Sequence, residues 1–279
     1  MAAISCVIAA MHARSFIDQS MQESAENGRL NCEMNCYSSG QKVLIRVTAQ
    51  SAVYLFSVDP LKSSLNACCS KIICHGCAIA NQRRESQHTC PFCREAVPQT
   101  KKECEKLNIK RAEANDPVAI FQLGAEEYKK KDYRSAIEYY TRAAELGIAE
   151  AHYEISHMYL EGQGVEKERG KEIHHLEEAA IGGHPYARFR LGVHEGGDGN
   201  IERAVKHWII ASTQGCDKSI KILMDFFKEG FVRKEVLDAA LRAHKAAVDA
   251  TKSPQRKAAE EFFRDNNLLD AMYDTLIKY

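Results

Sequence analysis

Closely spaced cysteines are the feature of this sequence that most directly suggests chemistry. They form the pairs Cys74/Cys77 and Cys90/Cys93 and, just upstream, the adjacent doublet Cys68–Cys69. Thiolates are preferred zinc ligands, and two residues between cysteines let one tight turn offer both sulfurs to the same ion. Too few apolar residues surround these cysteines to fold the segment alone, so we expect zinc to stabilise it.

The distribution of cysteines along the chain favours a metal site over disulfides. Eleven cysteines are present, an odd number, and only Cys216 lies beyond residue 104. The N-terminal apolar run has no basic residue before it, which disfavours a secretory signal. We therefore predict a reducing compartment, the cytosol or the nucleus, in which zinc is held by free thiolates.

Composition disfavours two classes of partner, nucleic acids and membranes. Lys+Arg and Asp+Glu are equal, at 38 each, and Arg83–Arg84 is the one basic cluster near the cysteine pairs. Nucleic-acid-binding proteins usually carry a basic surface, so we predict no nucleic-acid partner. Apolar stretches fall short of the roughly 18 residues that a membrane span needs, so we predict no membrane partner.

A repeat with a period of 32 to 36 residues organises the second half of the chain. It aligns residues 121–147, 153–183 and 189–215, and each copy ends in glycine, where a helix closes with a left-handed residue. Two helices and a turn per repeat predict an α-solenoid. We expect a weaker fourth copy to begin at Ser219.

This repeat resembles the Sel1-like repeats, which are relatives of tetratricopeptide repeats. The resemblance rests on Leu123–Gly124, Tyr128, Ala136 and Ala143–Ala144 followed by Gly147; the second copy departs, with Ile155–Ser156. It implies a concave surface that binds a protein substrate or adaptor. Five aromatic and histidine side chains are candidates to line that surface, the alternative being that most of them belong to the core: Tyr128, Tyr139, Tyr159, His174 and Trp208.

The cysteine-rich segment resembles the later part of a RING finger, in which four ligand pairs hold two zinc ions in a cross-brace. The resemblance implies that Cys74 and Cys77 form the third pair and Cys90 and Cys93 the fourth. Lys71 stands where RING fingers usually carry histidine, so the doublet is the expected second pair. One complete zinc site then comprises Cys68, Cys69, Cys90 and Cys93. The candidate first pair, Cys32 and Cys36, has three intervening residues instead of two.

Together the two resemblances are typical of RING and Sel1-repeat proteins of diatoms and related algae. They imply a ubiquitin ligase that performs no covalent chemistry itself, so no catalytic residue is expected. Pro91 and Arg94 are the residues implied to contact a ubiquitin-conjugating enzyme. Two alternatives remain: a non-catalytic interaction scaffold with a degenerate zinc finger, and a nucleic-acid-binding zinc ribbon.

The predicted fold is mostly α, with a small RING-like zinc module followed by the solenoid. Its segments are an ill-defined N-terminal part (1–60), the zinc module (61–98), a helical linker (99–116), the repeats (117–230) and a C-terminal helical cap (231–279). Within residues 1–60 we predict strands at 43–58, the alternative being that this part is not native sequence. We expect the polar residues 78–89 to form a loop and 253–256 (SPQR) to form a turn.

Overall fold

The computed structural model describes residues 35–38, 41–44, 63–84 and 89–265. Its strands are β1 (Asn35–Ser38), β2 (Gln41–Leu44), β3 (Ser63–Asn66) and β4 (Lys71–Cys74). Its helices are α1 (His75–Arg84), α2 (Lys101–Glu113), α3 (Pro117–Lys129), α4 (Tyr133–Glu145), α5 (Ala149–Glu161), α6 (Arg169–Ile181), α7 (Pro185–Gly197), α8 (Ile201–Thr213), α9 (Asp217–Lys228), α10 (Lys234–Ala250) and α11 (Pro254–Asp265).

The strands form two separate antiparallel hairpins. β1 pairs with β2 within a first unit, residues 1–50, while β3 pairs with β4 within a second, residues 51–279. The predicted strand segment 43–58 shares only its first two residues with β2, and the rest of that prediction lies outside the described residues.

Six helices of equal length form the predicted repeats. The pairs are α3/α4, α5/α6 and α7/α8, every helix has 13 residues, and each pair packs against the next. The first pair begins with two local start signals: Asp116 caps α3 by accepting hydrogen bonds from the backbone N–H groups of Val118 and Ala119, and Pro117 occupies the first helical position. Each pair ends in a left-handed glycine, at Gly147, Gly183 and Gly215.

One packing rule explains the Leu-Gly signature, which is Leu123–Gly124 in the first repeat and Leu191–Gly192 in the third, and its replacement by Ile155–Ser156 in the second. A Cβ atom at Gly124 would lie 2.8 Å from the buried ring of Tyr140, and one at Gly192 would lie 2.4 Å from Trp208. In the second repeat the corresponding positions are Ser156 and Leu176, both fully buried. The signature therefore needs glycine where a large aromatic ring packs against the first helix and accepts serine where the smaller leucine occupies that position.

The helices after residue 216 differ in part from what the sequence predicts for the C-terminal segment. A fourth pair, α9/α10, is present and packs on α8, but it starts at Asp217, two residues before the predicted Ser219. The turn predicted at 253–256 is wrong, because Pro254 begins α11 and the Ser253 hydroxyl accepts the Arg256 N–H. α11 then packs against α1 near the cysteine-rich segment.

Packing explains one further prediction that is wrong, and it decides between two alternatives that the sequence left open. Much of the expected loop 78–89 is helical, since α1 extends from His75 to Arg84 against α11. Trp208 does not line a binding surface, because it is 1% exposed and its indole N–H donates to the Phe189 carbonyl. None of the helices in the described residues is long and apolar enough to span a membrane.

Candidate metal centre

The doublet lies in the turn that joins β3 to β4. The backbone N–H groups of Cys69 and Ser70 both donate to the Asn66 carbonyl, at 3.1 and 2.8 Å, which closes the turn. Ser70 takes a left-handed conformation with φ of 54°. Adjacent side chains on a regular strand point to opposite faces, so this irregular turn is what allows two neighbouring sulfurs to approach one point.

The pair Cys90/Cys93 lies in a second tight turn, which we call the knuckle (residues 90–93). The Cys90 N–H donates to the Glu95 carbonyl at 2.8 Å, and the Arg94 N–H donates to the Cys90 carbonyl at 2.9 Å. The Asn81 side chain of α1 also donates to the Thr89 carbonyl at 3.1 Å. The first two hydrogen bonds close the knuckle, and the third joins it to α1.

The two turns bring four sulfurs together into what we call the cysteine cluster. The Sγ atoms of Cys68, Cys69, Cys90 and Cys93 all lie within 4.8 Å of one another. Cys69 Sγ is 3.7 Å from Cys90 Sγ, and Cys93 Sγ is 3.5 Å from Cys68 Sγ. Tetrahedral zinc with Zn–S bonds of about 2.3 Å separates its sulfurs by about 3.8 Å, so the cluster fits zinc in both donor type and spacing.

The environment of the cluster raises the pKa of some of its thiols and lowers that of another. Burial raises the pKa of Cys68, and it raises the pKa of Cys69 to about 11. Burial acts on Cys90 in the same sense, but hydrogen bonds from the backbone N–H groups of Cys93 and Phe92 outweigh it and lower the pKa of that thiol. Because a bound dication favours the thiolate of every sulfur it contacts, zinc binding at the doublet would release protons.

The other predicted ligands do not join this cluster. Cys74 ends β4, and its Sγ accepts the backbone N–H of Cys77 at 3.4 Å. A hydrogen bond with the Cys77 side chain and the nearby Arg256 guanidinium lower the pKa of Cys74 to about 5. Of their predicted partners, Cys32 lies outside the described residues and Cys36 is described only by its place in β1. A second zinc site thus remains a prediction.

The residues implied to contact a ubiquitin-conjugating enzyme lie at the knuckle. Both Pro91 and Arg94 are exposed, and Arg94 has a left-handed φ of 63°. Lys71, which occupies the histidine position of RING fingers, lies 6.0 Å from the centre of the Phe92 ring. That contact is a cation–π interaction between hairpin and knuckle, so Lys71 supports the module without binding metal.

Arg111, in the predicted linker, is a residue that the sequence did not single out. Its Nε donates to the Ser70 hydroxyl at 2.9 Å and its Nη1 to the Cys68 carbonyl at 3.3 Å. Its remaining nitrogen, Nη2, pairs with Asp116. No motif marks this arginine, because its three partners are assembled only by the fold.

Comparison with known families supports the interpretation of the repeats. The family model described as the Sel1 repeat matches residues 117–148, 149–184 and 185–216. These three units are Sel1 repeats. Each match spans one helix pair, so the predicted repeats are confirmed over α3 to α8, and α9/α10 follows the last matched unit.

Individual relatives share only part of this arrangement. Helicobacter pylori HcpC, which is named as a candidate beta-lactamase, is 38% identical over 52 residues; these are 19% of this chain and 18% of HcpC. The chain therefore matches less than a fifth of that relative's length. A Sel1 repeat protein from Oxalobacter formigenes has 23% identity and a TM-score of 0.48, with 61% of this chain and 81% of that one covered. A protective antigen of uropathogenic Escherichia coli that displays an SLR fold has 21% identity and a TM-score of 0.42, with 61% of this chain and 37% of that one covered.

Proposed function

We propose that the protein is a protein-interaction scaffold whose Sel1 repeats bind a protein partner and whose cysteine cluster holds one structural zinc ion. The observation that carries the proposal is the uninterrupted stack of three matched repeats over residues 117–216. Stacked repeats of this kind create extended surfaces that suit protein partners. The proposed zinc module comprises residues 61–98, and its thiolates imply the cytosol or the nucleus.

The first helices of the second and third repeats carry the proposed binding surface. The Arg190 guanidinium lies 5.9 Å from the centre of the Tyr153 ring, and buried Glu172 fixes it by accepting a 2.6 Å hydrogen bond. Val193 is one helical turn further along α7 on the same side and is 47% exposed. The Arg190 guanidinium is already paired with Glu172 and its side chain is only 16% exposed, so the exposed side chain of Val193 is what favours a partner segment with apolar residues.

A pair of matched variants tests this surface. Val193→Asp changes it, whereas Ile181→Asp changes an even more exposed apolar residue, 76% accessible, at the end of α6. We expect partners captured by the wild-type chain and identified by cross-linking mass spectrometry to be lost from Val193→Asp and retained by Ile181→Asp. Cross-links to the same partners at the same positions in Val193→Asp would contradict this assignment.

A RING-type ubiquitin ligase is the second candidate. It is favoured by the exposed Pro91 and Arg94 beside the cysteine cluster. The test is discharge of ubiquitin from a panel of charged conjugating enzymes by the zinc-loaded chain. The ligase predicts activity that falls in Pro91→Ala and Arg94→Ala but persists in Glu95→Ala, a change at an exposed neighbour. No discharge with any enzyme of the panel would leave the scaffold as the function.

A further inference from the structure

The geometry of the doublet requires support from outside the turn that carries it. Cys68 and Cys69 are adjacent in sequence, yet both sulfurs belong to the cysteine cluster. The turn is held by two hydrogen bonds to Asn66 and contains the left-handed Ser70, an unfavourable conformation for a residue with a side chain. Contacts to the Cys68 carbonyl and the Ser70 side chain therefore add to the Asn66 hydrogen bonds in fixing the turn that carries the two sulfurs.

Arg111 supplies both of those contacts. It reaches from α2, more than forty residues further along the chain, to the Ser70 hydroxyl at 2.9 Å and the Cys68 carbonyl at 3.3 Å. One planar guanidinium can direct several N–H groups at fixed angles, which lysine cannot do. Because zinc with four thiolates has a net charge of −2, a cation at this position also offsets the charge of the loaded site.

The same guanidinium contacts the start of the first Sel1 repeat. Its Nη2 pairs with Asp116, and the other oxygen of that carboxylate caps α3 at the N–H groups of Val118 and Ala119. Although burial opposes it, the hydrogen bond from Arg111 lowers the pKa of Asp116 and keeps it charged. A continuous set of hydrogen bonds thus runs from the ligand turn to the cap of α3.

We propose that Arg111 is a positioning residue that sets the geometry of the doublet for metal binding and couples metal binding to the first Sel1 repeat. This inference rests on the proposed zinc site. Outer groups that orient metal ligands typically change metal affinity by about 10- to 100-fold when they are replaced. Zinc binding should in turn reduce opening of α3, because the turn, the guanidinium and the cap are ordered together.

The test uses the full chain with three single substitutions. Arg111→Lys keeps the charge but loses the planar fork. Asp116→Asn keeps a good helix cap but removes the charge that pairs with Arg111. Arg142→Ala is the matched control, because Arg142 also bonds the α2–α3 junction, at the Ala112 carbonyl and the Asn115 side chain, without contacting the doublet.

Zinc affinity is measured by competition with a chromophoric chelator, and site geometry by the absorption of the cobalt-substituted chain. We expect Arg111→Lys to bind zinc about 10- to 100-fold more weakly and to shift the cobalt bands, and Arg142→Ala to stay within about twofold of wild type. Hydrogen exchange should show that zinc slows exchange at the first amides of α3 in wild type but much less in Asp116→Asn.

The outcomes separate this inference from the proposed function. If wild type binds no zinc, both fail together. If wild type binds zinc and Arg111→Lys binds it equally well with unchanged cobalt bands, the zinc site stands and the role of Arg111 is refuted. Equal weakening in Arg142→Ala would also refute it, since general loosening of the α2–α3 junction would then explain the loss.

Discussion

Replacing Gly192 with alanine is the most informative perturbation of the repeat core. A Cβ atom at this position would lie 2.4 Å from Trp208 Nε1 and 2.6 Å from Cδ1, about 1 Å closer than ordinary contact. Trp208 is 1% exposed and its indole N–H donates to the Phe189 carbonyl, so the ring has little room to move. Gly192→Ala should therefore strain the packing of α7 against α8.

The magnitude follows from two opposing effects. Overpacking a buried site typically costs about 1–3 kcal/mol, and contacts this short place the strain near the upper end. Alanine in a helix interior returns up to about 1 kcal/mol relative to glycine. We expect a net loss of about 1–2 kcal/mol in the free energy of unfolding.

Gly196→Ala is the matched control, one turn along the same helix. Its Cβ atom would meet Trp208 Cη2 at 3.5 Å and Ala204 Cβ at 3.7 Å, both ordinary contacts. This variant should be neutral or up to about 1 kcal/mol more stable. The pair of variants thus separates close contact with the ring from helix propensity.

Urea unfolding monitored by tryptophan fluorescence is a suitable assay, since Trp208 is the sole tryptophan of the chain. Circular dichroism follows the helices in parallel and also serves variants without the tryptophan. Gly192→Ser should lower the free energy of unfolding less when it is combined with Trp208→Leu than when it is made alone. The combination reproduces the Ser156 and Leu176 pair of the second repeat. Equal midpoints for Gly192→Ala and Gly196→Ala would refute the packing explanation of the Leu-Gly signature.

The remaining predictions concern buried polar groups. His184 caps α7 with its ring nitrogen, and burial lowers its pKa from 6.5 to about 4. Protonation of this histidine therefore favours the unfolded chain. The free energy of unfolding should be retained above pH 6.5 and fall by up to about 3 kcal/mol as the pH drops to 4. In His184→Asn the urea midpoint should depend less on pH across that range than in wild type. An unchanged pH dependence would contradict the role given to His184. Glu172→Ala should lower the free energy of unfolding by about 3–5 kcal/mol, because buried Glu172 accepts hydrogen bonds from Arg190 and His194. Glu177 is exposed, so Glu177→Ala should change this free energy little. Similar midpoints for these two variants would show that the buried pair contributes little.

The sequence predicts the repeats well because their signals are local. Each repeat has a periodic apolar face and a terminal glycine within about 36 residues, and these signals act on their own helix pair. The first and third repeats also begin with a side-chain cap, at Asp116 and His184. The grouping of the doublet with Cys90 and Cys93 was suggested by the RING resemblance, in which Lys71 is chemically unfit as a ligand and Cys68 is the nearest other donor; metal binding there stays a prediction. The structure places the Cys68 sulfur 3.5 Å from Cys93 Sγ.

Features that depend on distant contacts were not predictable. The polar residues of α1 show little helical pattern, and this helix packs against α11, which begins 170 residues after Arg84. Ser253 followed by Pro254 suits a turn and a helix start equally, since proline fixes the same φ angle in both. The role of Arg111 likewise depends on partners that only the fold assembles.

Whether the cysteine cluster holds zinc is measured by native mass spectrometry of the full chain, which compares the zinc content of wild type, Cys90→Ser and Cys104→Ser. Cys90 is completely buried in the cysteine cluster, whereas Cys104 lies in α2 and is not part of it. We expect Cys90→Ser to carry one zinc ion fewer than wild type and Cys104→Ser to carry the same number. Zinc-free wild type, or equal zinc content in Cys90→Ser and wild type, would refute a zinc site at the cysteine cluster.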